Sequence, residues 1–213
     1  MNKKQDYAAE ITLSVSKTYL YSLYLLIPII IFFLIPYIVI WGTDLINYWS
    51  TKIIQLKSNF VLSDFIYYIF RYLFWILMIL ISGILMHEML HGLIWIFFTK
   101  KGFRSLSFGI MKPDLAPYIH CNEPLPVNVY RIGIIIPGIV LGIFPLIIGI
   151  ITGNFKIFIF GFFFTWAASG DFIVLWLIRH LKTPVMVQDH PELVGCLILR
   201  GNDQSEKIEG KNK

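Results

Sequence analysis

The chain has 213 residues, 57% of them hydrophobic and 15% charged, with a formal net charge of +5. Soluble domains run about 45–50% apolar and about 25% charged, so this balance excludes an ordinary soluble domain and fits a polytopic membrane protein. The positive charge does not require nucleic acid, because lysines and arginines flanking membrane helices act as topology signals.

In chain order, residues 1–18 read as a polar cytoplasmic segment, too long for the basic region of a signal peptide. The apolar run after it exceeds a signal's core of about 7–15 residues and is read as a retained span. An embedded domain over residues 19–200 holds four spans, at 19–41, 68–98, 130–152 and 157–178. Pro28 and Pro36 predict a kink in the first. The second is long enough to tilt or project. Glycines and prolines in the third predict close packing and a bend. Between spans two and three, "FRSLSFGIM" alternates and pairs with "APYIHCN" across a Pro113-Asp114 turn. Residues 201–213 are polar and read as a disordered tail. The expected fold class is an all-α integral membrane protein with about four transmembrane helices and a short cytoplasmic β-hairpin between helices two and three.

Basic residues set the direction. The segments before span one, between spans two and three, and after span four hold 14 of the 18 lysines and arginines. The positive-inside rule therefore places both termini in the cytoplasm, with the bacterial cytoplasmic membrane as the expected location. Cys121 and Cys196 are too few for a disulfide scaffold and face the reducing side, so free thiols are expected.

The second span contains "LMHEMLHGLIW", in which His87, Glu88 and His91 interrupt an apolar run. On a helix His87 and His91 share one face and can ligate one metal ion. Glu88 beside them suits the general base of a metalloprotease, and zinc suits imidazole ligands. Chance produces an HExxH in a chain of this composition with a probability of about 0.3%. A structural His–Glu cluster between helices is the competing reading.

A zinc site needs a third protein ligand. Asp171, in "AASGDFIVLW", is the acidic residue deep in another span. His91 and Asp171 each lie about seven residues from the cytoplasmic end of their spans, which at 1.5 Å per residue is roughly 10 Å deep. Small residues at 167–170 allow span four to approach span two closely. The alternatives are a salt bridge from Asp171 to an arginine such as Arg131, or a helix-breaking polar kink. His120-Cys121 reads as a turn-proximal surface pair, with metal binding or occlusion of the site as the alternative, and Asp189-His190-Pro191 as a turn, with a metal role as the alternative. Arg131 and Asn128 are candidates for oxyanion stabilisation, although topology signalling explains Arg131.

An HExxH helix followed two spans later by an aspartate resembles the site-2 protease class of intramembrane metalloproteases. The wider layout is HExxH, "FRSLSFGIMKPDLAPYIHCNEPLP", a proline-glycine span, "SGD" and "VQDHPELVG". It resembles the putative zincin peptidase family over about residues 70–200. The resemblance implies one Zn2+ on His87, His91 and Asp171, with Glu88 catalytic and a membrane protein or peptide as substrate in the lipid bilayer. Phe103, Ser105 and Ser107 become a candidate substrate-binding edge strand, taking an unwound segment by strand addition. The alternative is a non-catalytic membrane protein whose His/Glu/Asp cluster is structural or merely metal-binding. No nucleic acid partner is expected, and the oligomeric state is open.

Overall fold

A computed structural model of the chain describes residues 7–58, 60–111, 116–191 and 193–199. Strand β1 (Tyr7–Leu13) leads into a continuous helical rod, Val15–Ser58, made of α1 (Val15–Ile29), a π-helical turn (Ile30–Leu34) and α2 (Ile35–Ser58). Next come α3 (Leu62–Ile96), a 3-10 turn (Gly102–Ser105), β2 (Leu106–Met111), β3 (Ala116–Cys121) and β4 (Leu125–Pro126). A second helical rod comprises α4 (Val127–Pro137), a π-helical stretch (Gly138–Ile143) and α5 (Phe144–Thr152). Helices α6 (Phe155–Ala167) and α7 (Ser169–Leu177), a 3-10 turn (Ile178–His180), β5 (Met186–Asp189) and β6 (Val194–Leu199) complete the described order.

Three of these helical segments are long and apolar enough to cross a membrane: Val15–Ser58, Leu62–Ile96 and Val127–Thr152. The pair Phe155–Ala167 and Ser169–His180, bent by 40°, makes a fourth if counted as one span. The first segment has 44 residues, about 66 Å at 1.5 Å per residue, roughly twice a bilayer's hydrocarbon core. It therefore extends well past the expected boundary at residue 41, as α3 also extends towards its N-terminal end. Most large apolar side chains of α1, α2 and the first half of α3 are exposed, which suits helices meeting lipid rather than water.

The two π-helical stretches have one cause. Pro36 and Pro145 cannot donate a helical hydrogen bond. Just before each, the chain takes one wide turn, with Ile35 N–H reaching Ile30 O and Phe144 N–H reaching Ile139 O. The prolines are thus accommodated by inserted π turns, and each rod stays helical through them.

The all-α expectation is overturned. A four-stranded antiparallel sheet, in the order β1-β6-β5-β4, accompanies the β2-β3 hairpin, so the chain is mixed α/β. Its members are short and interleaved with the spans, and Ile11 pairs with Cys196 across almost the whole chain order. No local pattern announces such a partner. Gly195 makes the pairing possible: its φ is +139°, and a Cβ there would sit 2.1 Å from the Ile11 carbonyl oxygen. Because β1 precedes the first helical rod, β2 to β4 separate α3 from α4, and β5 and β6 follow α7, all strands gather at one end of the helices.

That end is the main core. Trp95, Tyr130, Ile134, Val174 and Ile178 from the helices pack with Cys121, Leu125, Val187 and Cys196 from the strands. Burial pushes the Cys121 thiol up to about 11 and the Cys196 thiol up to about 12, with Asp189 adding to both. Both cysteines are free, as expected. At the other end Tyr37 stacks on Phe158 at 3.9 Å and donates to Gly153 O at 2.9 Å, while Trp41 Nε1 donates to Ile150 O at 2.8 Å. The helical turn between α5 and α6 is thereby tied to the first rod. The Pro113-Asp114 turn and the 201–213 tail lie outside the described residues.

Candidate metal centre

Helix α3 runs without a break through the HExxH stretch, so His87 and His91 fall on successive turns of one face. Their Nε2 atoms are 3.2 Å apart. Asp171 reaches them from the first turn of α7, with Oδ2 3.0 Å from His87 Nε2 and Oδ1 3.5 Å from His91 Nε2. His91 is 6% exposed.

Span four is not the continuous helix expected over residues 157–178. Helix α6 ends at Ala167 and α7 restarts at Ser169, which puts Asp171 near a helix start. The break is clamped by α1: Trp166 Nε1 donates to Ser22 O at 3.2 Å, and Ser169 Oγ donates to Ser22 Oγ at 2.7 Å. The small residues expected to face span two are placed elsewhere. Ala168 lies beside Gly138, and Gly170 beside Thr18. Helix α4 packs against both α3 and α7, so the two ligand-bearing helices are held in register through it.

Gly133, on α4, accepts a hydrogen bond from His91 Nδ1 at 2.9 Å. A carbonyl can only accept, so Nδ1 carries the proton and Nε2 of the neutral ring has its lone pair free. Glu88 lies alongside, with the ligand atoms of His87, Glu88 and His91 all within 4.8 Å of one another. Its Oε2 accepts the Ile119 N–H at 2.9 Å, which joins β3 to α3 at this point.

These donors fit zinc. Ligand atoms about 2.0–2.2 Å from a tetrahedral ion stand about 3.3–3.6 Å from each other. The spacings among His87, His91 and Asp171 are 3.0, 3.2 and 3.5 Å, the first and last through different Asp171 oxygens, so the atoms stand close to that range and two of the contacts must open by a few tenths of an ångström to admit the ion. Two imidazoles and a carboxylate are also a chemically suitable set.

Other sequence candidates are engaged differently. Arg131 does not pair with Asp171; its Nη2 donates to Ile178 O and Leu181 O at 2.5 and 2.8 Å, and Nη1 to Asn128 Oδ1 at 3.3 Å. Asn128 donates to Thr183 Oγ1 at 3.1 Å. Both therefore tie α4 to the end of α7 instead of facing a reacting carbonyl. Phe103 and Ser105 lie in the 3-10 turn, not on a strand, and only Ser107 is on β2. Ser105 is buried, its Oγ donating to Gly102 O and Glu123. The backbone edge beside Glu88 belongs to β3, because Phe108 pairs with Ile119 and the Ile119 amide points outward to the carboxylate.

His120 and Asp189, read separately in the sequence, meet: Nδ1 and Oδ2 are 3.1 Å apart, and Tyr130 donates to the other Asp189 oxygen at 2.9 Å. His190 sits in the β5–β6 turn, where its Nδ1 accepts the Leu193 amide at 2.8 Å. Glu123 accepts the Lys100 and Lys101 amides and the Ser105 hydroxyl. Burial opposes its charge, but these hydrogen bonds hold its carboxyl below the usual range. Sequence reasoning missed Gly133, Ser22 and Ile119. Each acts through a backbone group or a small hydroxyl that no residue pattern marks.

A family described as putative zincin peptidase matches residues 79–185, a stretch that contains His87, Glu88, His91 and Asp171. The search of curated proteins and the search of solved structures each gave no match.

Proposed function

Because the chain belongs to the putative zincin peptidase family, we propose that it is a membrane-embedded zinc metalloprotease cutting peptide bonds within or near the cytoplasmic leaflet. The observation that carries this reading is the convergence of His87, His91 and Asp171 from two helices, at spacings of 3.0 to 3.5 Å, with Glu88 beside them. The layout parallels that of the site-2 protease class. Three helices, or four with the bent pair, are able to span a bilayer, and Phe97, Phe98, Phe103 and Phe108 are exposed around the site's end of α3. The bias of basic residues towards that end makes it the cytoplasmic one.

When bound, zinc supplies Lewis acidity towards water and the scissile carbonyl. His87, His91 and Asp171 would hold it, and the Gly133 carbonyl, by accepting the His91 Nδ1 proton, leaves Nε2 as the nitrogen that would ligate. Glu88 takes the proton of the attacking water and hands it to the departing amine as the C–N bond breaks. The Ile119 amide steadies Oε2 and leaves Oε1 for that transfer. A helical substrate segment must unwind locally to present its peptide bond.

The direct His87–Asp171 hydrogen bond at 3.0 Å also supports a second reading, a cluster that holds helices together without turnover. Zinc stoichiometry of the purified protein tests the site. The expected result is one zinc in wild type, with loss in His91→Ala and Asp171→Ala. Absence of zinc from wild type under metal-replete, chelator-free conditions sinks the protease reading. Glu88→Gln separates the two readings, since it keeps zinc while an enzyme loses turnover.

A further inference from the structure

His91 is held by groups that take no part in ligation. Its Nδ1–H donates to Gly133 O at 2.9 Å. Its ring stacks on Trp95, one turn along α3, with centroids 5.5 Å apart and planes at 21°. Trp95 in turn stacks on Tyr130 at 5.7 Å and 8°. Tyr130 is fixed from beyond by its hydrogen bond to Asp189 at 2.9 Å. A column of three rings thus runs from the candidate metal centre into the core beneath the sheet.

Gly133 is where two of these restraints meet. Its carbonyl takes the His91 proton, and its missing side chain is the space that the Trp95 indole fills. A Cβ at residue 133 would sit 2.0 Å from Trp95 Nε1, with Cδ1 and Cε2 at 2.6 and 2.8 Å. Trp95 is 3% exposed, and its Nε1 has no hydrogen-bond partner among the described residues. A buried donor without a partner is costly. The indole therefore occupies this place through packing on His91, Tyr130 and the bare Gly133 backbone, not through its own polar group.

We propose that Gly133 and Trp95 form a positioning pair for His91, fixing its ring plane and tautomer so that Nε2 faces the metal. This inference rests on the metal-site reading above. A ligating imidazole depends on the partner of its other nitrogen, and loss of such a partner typically costs about 10- to 100-fold in metal affinity. A methyl at residue 133 cannot coexist with the indole. Either Trp95 leaves the His91 face, or α4 retreats and the Nδ1 hydrogen bond lengthens. Helix propensity alone predicts the opposite, since alanine is the better helix former.

The test is a cobalt(II) titration of the full-length protein in detergent, followed by its visible absorption and by zinc competition. Wild type is expected to bind one ion with the intense bands of a four-coordinate site. Gly133→Ala is expected to weaken binding by about 10- to 100-fold and to shift those bands while the helical circular dichroism persists. Trp95→Ala, which introduces no clash, is expected to weaken binding in the same direction. The double variant Gly133→Ala with Trp95→Leu is expected to recover part of the affinity lost in Gly133→Ala, because the smaller side chain makes room for the methyl. Failure of wild type to bind cobalt or zinc removes the metal reading and this inference with it. If wild type binds and Gly133→Ala matches it in affinity and spectrum, the positioning role alone is overturned. Should Gly133→Ala not fold, Trp95→Ala decides, and wild-type affinity and bands in that variant overturn the proposal.

Discussion

The amide of Ile119 donates to the carboxylate of Glu88 at 2.9 Å, so a strand of the hairpin is bound to the acid of the HExxH helix. Hydrogen bonds to a charged acceptor contribute about 1.5–3 kcal/mol. Ile119→Pro deletes this donor without breaking the hairpin ladder, since the amide points away from β2. The expected outcome is retained zinc and a peptidase rate reduced about 10-fold or more, as follows from losing a bond of that strength. Unchanged turnover in Ile119→Pro removes Ile119 from the catalytic account.

Metal should stabilise the fold through His87, His91 and Asp171. A ligand bound only by the native state adds about 2.7 kcal/mol at a free concentration of 100 times its dissociation constant. Thermal unfolding with and without zinc should show that increment in wild type and none in His91→Ala. An equal shift in both proteins would place the bound zinc elsewhere.

The two thiols titrate far above neutrality, at about 11 for Cys121 and about 12 for Cys196. At pH 8 roughly one native thiol in 10³ or fewer is then the reactive thiolate. Iodoacetamide should label neither cysteine in the native protein and both after denaturation, as read by mass spectrometry. The sign of the pH effect follows. Above about pH 8.5 the unfolded thiols lose protons that the folded ones keep, so stability falls as pH rises. The slope is at most about 1.4 kcal/mol per pH unit for each thiol, and it ends as pH passes the folded values of about 11 and about 12. A flat unfolding free energy between pH 9 and 11 counts against this burial.

Ser22 clamps the helix break that presents Asp171. Ser22→Ala leaves the buried Ser169 hydroxyl without its 2.7 Å acceptor. A buried polar group stripped of its partner costs about 1–3 kcal/mol. Denaturant unfolding should register that loss, and Ser169→Ala in the Ser22→Ala background should add little to it. Full additivity of the two substitutions would mean that they do not interact.

How far these features can be read from sequence depends on the range of the interaction. His87, Glu88 and His91 are legible because one helical turn relates them, and Asp171 because an acid in an apolar run is conspicuous. The hairpin is legible because β2 and β3 are neighbours in the chain. Strand β1 is not, since its partner β6 follows the last helix. The α6–α7 break is marked only weakly: a polar kink at Asp171 is one reading of the sequence, "AASG" also suits a continuous helix, and the contacts of Ser22 on α1 decide between them. Phe103 and Ser105 were expected on a strand from their alternation alone. Glu123, whose carboxylate accepts the Lys100 and Lys101 amides and the Ser105 hydroxyl, holds them in a turn instead.

The pairing of Tyr7–Leu13 with Val194–Leu199 has a consequence for the order of assembly. Residues 7–13 are made before the helices but have no partner until all the helices have followed. Membrane insertion of each span needs only local apolar length, whereas closing this sheet needs a contact of the greatest sequence separation, the slow kind. Until β6 arrives, β1 waits as an exposed edge. The core beneath the sheet, and with it the Tyr130–Asp189 bond that ends the column behind His91, then matures only after the helices are in place.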